Sequence, residues 1–122
     1  MFLRLAHAHL EVFPVAKNLV KAIYLLTESF PVREKYGLST QMQRASVSFL
    51  LNIAEGSARR SATERIRFYE IARASLVELD AALEIAHELS YFQTKDHPEL
   101  EFLVIESFKK ISLLIKSTAD IR

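Results

Sequence analysis

Five arginines, Arg59, Arg60, Arg65, Arg67 and Arg73, stand close together in the middle of the chain. Guanidinium groups crowded beside a helix start suit phosphate, because their charge adds to the unsatisfied N–H groups of the first turn. Together with Arg44 they form the candidate nucleic-acid surface. Glu64 and Glu70 argue the other way: they lie at helical spacing from Arg60, Arg67 and Arg73 and can neutralise them. Phe68 and Tyr69 interleave with the cluster, but helical periodicity claims Tyr69 for the core, and a base stacks only on an exposed ring.

A second polar set, Gln41, Arg44, Ser48, Asn52 and Glu55, advances in steps of three or four residues. A helix therefore stacks it on one narrow face between two apolar ones. If buried, these groups must bond neighbouring helices or loop carbonyls and so set the packing register. If exposed, they line a groove or a subunit seam. Arg44 is the member expected to meet a carboxylate from another helix or another subunit.

Other spacings are weaker. Glu84-x-x-His87 has the ligand spacing of di-iron carboxylate bundles, but those need two such pairs and two further inward glutamates. His7, His9 and His97 have no Glu three residues before them, so the pair reads as surface side chains on an acidic helix face. Arg4-x4-His9 matches the Arg-His signature of some all-helical ribonucleases, but it precedes the first helix, where catalytic geometry is poorly held. Glu55 and Asp120 are isolated carboxylates. There is no cysteine, so thiolate and disulfide chemistry are excluded. No catalytic residue, metal site, cofactor or small-molecule substrate is expected, and the chain reads as non-enzymatic.

Four helices are expected, over residues 12–30, 39–58, 62–90 and 98–121 of a single domain spanning 1–122. The first carries Val15, Leu19, Ala22, Ile23, Leu26 and Phe30, widened by Ala16, Val20 and Tyr24. Pro14 is tolerated in its first turn and Pro31 ends it. The second carries two apolar sets, Met42, Ala45, Phe49 and Ile53 on one face and Val47, Leu50, Leu51, Ala54 and Ala58 on the other. Gly37 is expected to turn left-handed, Ser39 to cap this helix and Gly56 to close it. Ser61-Ala62-Thr63-Glu64 is a capping box. It opens a third helix with the stripe Tyr69, Ala72, Leu76, Leu79, Leu83 and Ala86. Asp96 and Glu99 form a cap-like pair around Pro98. The last helix is expected to align Val104, Phe108, Ile111, Ile115 and Thr118, broadened by Leu103, Leu114 and Ala119. Short loops favour an antiparallel up-down-up-down four-helix bundle, all-α in class.

Half of the residues are apolar and the mean hydropathy is +0.10. A chain this short buries only about two-thirds of its unfolded surface. The excess, and the doubly apolar second helix, point to self-association. The net charge of +1 is unevenly spread. Residues 31–75 hold eight basic against four acidic groups, residues 76–106 one against eight, and residues 107–122 four against one. Such segregation can fix the register of a contact between copies. No run reaches the ~20 unbroken apolar residues that span a bilayer. His7, His9 and Glu11 interrupt any signal-peptide core after Arg4. A cytoplasmic location, away from membranes, is expected.

The motif Gln41-x-x-Arg44-Ala45-x-x-Ser48, followed by Asn52-Ile53-Ala54-Glu55-Gly56-x-x-Arg59, carries a resemblance. It is flanked by Tyr24, Thr27, Phe30-Pro31, Glu34 and Tyr36-Gly37-Leu38, and by Phe68-Tyr69, Ala72, Ser75-Leu76 and Glu78-Leu79. Across about Leu10 to Phe92 the chain resembles bacterial four-helix-bundle proteins encoded by intervening sequences of large-subunit ribosomal RNA genes. The accessory variability determinant of diversity-generating retroelements is a related branch. The resemblance implies a barrel-like homopentamer without known catalytic activity. In the retroelement branch it also implies binding to nucleic acid and to a reverse transcriptase. That branch is strongly basic, and this nearly neutral chain is closer to the intervening-sequence branch. The reading is an oligomeric scaffold or adaptor whose partner is itself; the alternative is a nucleic-acid-binding accessory protein.

Overall fold

A computed structural model describes residues 2–120. Among the described residues there are four α-helices, α1 (Val12–Glu28), α2 (Leu38–Ser57), α3 (Ala62–Glu88) and α4 (Pro98–Asp120), and no strand. The bound expected at Ile121 lies outside the described residues. Short 3₁₀ turns at Ala6–His9, Val32–Glu34 and Thr94–Asp96 fill the approaches. α1 packs on α2 and α4, and α3 packs on the same two helices. One apolar core lies between them, with Leu19, Ile23, Met42, Phe49, Ile53, Leu76, Leu79 and Ile111 sealed from solvent.

Local sequence explains much of this. The Ser61 hydroxyl accepts the Glu64 N–H at 3.1 Å and opens α3. Every residue of the expected α3 stripe is buried. α3 closes with Ser90 at φ 62°, where the Tyr91 N–H reaches the Ala86 carbonyl (3.0 Å) and the Ser90 N–H that of His87 (2.9 Å). That is a Schellman closure with serine in the place usually given to glycine. Pro14 sits in the first turn of α1, where no helical bond is lost. Thr27, buried near the end of α1, donates to the Ile23 carbonyl and accepts from the Gln43 amide, tying α1 to α2.

Four expectations are corrected. Gly37 is not left-handed; its φ is −118°. The Glu34 carboxylate lies over it to take the Leu38 N–H at 3.1 Å, and a Cβ would stand 2.8 Å from that oxygen. Ser39 is therefore not the cap: it is buried inside the first turn of α2, and Glu34 caps the helix from the preceding loop. Gly56 does not close α2 either. It lies within the helix, and a Cβ there would meet the Phe68 Cβ at 2.8 Å and the Tyr69 ring at 2.9 Å. It is the glycine that lets α2 and α3 touch. On α4 the core line runs through Leu100, Ser107, Ile111 and Thr118, and Phe108 faces out, 45% exposed. One step along a helix turns a side chain by about 100°, so only one of the two neighbours can point inward.

Candidate functional site

The polar stripe of α2 divides by depth. Ser48 joins α2 to α3, its hydroxyl 2.9 Å from that of Ser75, and Asn52 folds back within α2, its amide donating to the Ser48 carbonyl at 2.9 Å. The Gln41 amide donates to Glu78 on α3. Glu55 pairs with Arg59 one turn on at 2.7 Å. Arg44 is exposed and, among the described residues, has no carboxylate partner. Arg44, Ser48, Asn52 and Glu55 border a shallow groove of about 580 Å³, closed on the α1 side by Tyr24 and floored by Val47 and Leu51. Leu51 is 57% exposed there. The stripe thus both braces α2 on α3 and edges an open surface. Gly56, in the same motif, supplies the close approach.

The arginine cluster is largely committed internally. Arg59 bonds Glu55 and lies over the Phe68 ring at 4.6 Å, and Arg67 approaches the same ring at 5.8 Å and Glu64 at 4.0 Å. Arg65 donates to the carbonyls of Arg59 (3.2 Å) and Arg60 (2.9 Å), satisfying the chain between α2 and α3. Arg73 points to α4 and the Ser112 hydroxyl at 3.5 Å. The Arg60 guanidinium has no partner among the described residues. Arg44 lies in the α2 groove and Arg73 on the α4 side, so the six arginines do not share one surface. Tyr69 is buried, which raises its phenol above the ordinary range.

Two arrangements escaped the sequence reading. The first is a clasp between loops. The Tyr91 hydroxyl donates to Glu34 at 2.6 Å, Arg33 approaches the same hydroxyl at 3.4 Å, and the Phe30 and Tyr91 rings lie 5.3 Å apart. The Tyr91 hydroxyl, and then the Leu38 N–H, hold the Glu34 carboxyl below its ordinary value, and the Glu34 carboxylate in turn pushes Tyr91 up. The second is a groove of about 440 Å³ between α3 and the start of α4. Leu83, Leu100 and Val104 form its floor, and Asp80, Glu84 and Glu101 stand exposed at its edge. Phe92 enters it with its ring edge-on to His87 (5.7 Å) and to His97 (5.9 Å). The acidic run of residues 76–106 was its sequence signal; pairing across two helices was not legible.

Glu84 and His87 line this groove, and no group of three metal-ligating side chains occurs among the described residues. His9 lies in a separate dent beside Glu11 and Lys110, while Arg4 is exposed on the preceding segment. Asp120 is exposed at the end of α4. No helix among the described residues is long and apolar enough to cross a membrane.

No curated protein matches the chain. The family model described as 23S rRNA-intervening sequence protein matches residues 8–113, which takes in the α2 motif, the Gly56 contact and most of α4. With that match over most of its length, the chain belongs to the 23S rRNA-intervening sequence protein family.

Proposed function

We propose that the protein is a non-enzymatic scaffold of the cytoplasm, an antiparallel four-helix bundle whose copies join head to tail in a closed ring, five-membered by family resemblance. The inversion on α4 carries this reading. The core takes the small hydroxyl of Ser107 while Phe108 faces out beside Val77 and Ile105 in an apolar hollow. A monomer gains nothing from that arrangement, whereas a subunit contact gains a buried aromatic. A cyclic contact needs two different faces that match. The α1/α2 groove, apolar through Tyr24, Val47 and Leu51 with Arg44 and Glu55 at its edge, complements the α3/α4 face, apolar through Val77, Ile105 and Phe108 with Asp80 and Lys109 at its edge.

The test is light scattering at micromolar concentration. The wild-type chain is expected to run as a multi-copy species, and a monomer overturns the proposal. Phe108→Glu spoils one face and Leu51→Glu the other, so each variant alone should lose the ring. Mixed together, they retain one good contact and should form dimers of one copy each. Persistence of the full assembly in both variants refutes the head-to-tail geometry. Nucleic-acid binding remains the alternative. Its signature is affinity that falls steeply with salt, with a slope flattened by joint substitution of Arg59, Arg60 and Arg65.

A further inference from the structure

The segment before α1 does not cover itself. Phe2, Leu3 and Leu5 are exposed, Phe2 entirely, and Arg4 lies among them. The next turn, Ala6–His9, is anchored on α1 and α2, and His7 sits edge-on to Phe13 at 4.9 Å. The arm therefore leaves from a held root at the start of α1.

The acidic groove between α3 and α4 lies toward the other end of that helix. Phe30, just past α1, touches Tyr91, and Tyr91 precedes the groove residue Phe92. The seventeen residues of α1 rise about 25 Å. Four extended residues span at most about 14 Å. The arm cannot reach the Phe92 end of the groove in its own chain and so cannot fill it, although Ile105 at the near edge lies five residues along α4 from Lys110, which meets Glu11 at the root.

The chemistry of the two matches. The groove has an apolar floor and the carboxylates of Asp80, Glu84 and Glu101, and among the described residues no lysine or arginine lines it. The arm offers three large apolar side chains and one guanidinium. The groove volume of about 440 Å³ falls in the range that encloses several side chains. It shares Asp80, Val104 and Ile105 with the apolar hollow at Phe108.

We propose that residues 2–5 are an exchange arm that seats in the α3/α4 groove of a neighbouring copy, with Arg4 against its carboxylates. This rests on the ring reading and adds a second contact to it. Because the chain has no cysteine, introduced pairs report cleanly. Under mild oxidation Leu3→Cys/Glu84→Cys should give a ladder of covalently linked chains on a denaturing gel. Leu3→Cys/Tyr24→Cys, which places the second thiol in the α1/α2 groove, should not. Joint substitution of Phe2, Leu3 and Leu5 by serine should raise the concentration needed for half-assembly by at least about tenfold. A multi-copy wild type with no ladder, an equal ladder in the control, or unchanged assembly of the serine variant overturns the arm and leaves the ring standing. A monomeric wild type overturns both.

Discussion

Gly56→Ala tests the closest contact between α2 and α3. The added methyl would lie 2.8 Å from the Phe68 Cβ and 2.9 and 3.1 Å from two Tyr69 ring atoms. Carbon atoms sit comfortably at about 3.5–4.0 Å, so the methyl is short by more than half an ångström on two sides. The Phe68 Cβ is fixed to its backbone and the Tyr69 ring is buried, so relief requires the helices to part. Overpacking of this kind costs about 1–3 kcal/mol. Alanine recovers up to about 1 kcal/mol of helix propensity, less here because Gly56 is the second-last residue of α2. The net expectation is a loss of about 1–2 kcal/mol and a fall in Tm of about 3–10 °C. Thermal and urea unfolding followed by circular dichroism at one fixed protein concentration measure it, since association makes Tm concentration-dependent. A Gly56→Ala protein as stable as wild type would refute the close approach as the reason for glycine.

Three further outcomes follow from single contacts. Ser107 is sealed in the core with its hydroxyl unpartnered among the described residues, so Ser107→Ala should raise stability by about 1 kcal/mol; a loss of that size in urea unfolding would mean the hydroxyl is bonded. Ser90→Gly relieves a left-handed serine at the α3 closure and should gain about 0.5–1 kcal/mol, and a destabilised variant would contradict that account. The clasp makes a pH signature. The Glu34 carboxyl is depressed, chiefly by the Tyr91 hydroxyl, so its contribution is present above the ordinary value of 4.5 and lost as pH falls through the depressed one. Glu34→Gln should therefore be less stable than wild type near neutrality and converge on it in acid; urea midpoints taken from about pH 7 to about pH 3 that stay parallel would sink this. Tyr91 is raised, so its bond to Glu34 persists below the ordinary tyrosine value of 10.0 and fades as pH climbs through the raised one.

Helix type and position were legible from residues near one another in the chain. The α3 stripe repeats at the helical period, Ser61 and Glu64 are three apart, and the pair Glu64–Arg67 follows the same local spacing. Those features depend on one helix alone, and the family motif lies within them. Tertiary structure decided whatever depends on how two helices approach. It made Gly56 a contact rather than a terminus, chose Ser107 over Phe108 for the core and turned Arg73 toward Ser112. It also brought Tyr91 to Glu34 across 57 positions of sequence and set Phe92 between two histidines in a groove. A hydrophobic period defines a face only to within about one residue, because neighbouring side chains on a helix differ by about 100°. Packing against the other helices sets the remaining rotation, and that rotation decides which apolar side chains are left at the surface.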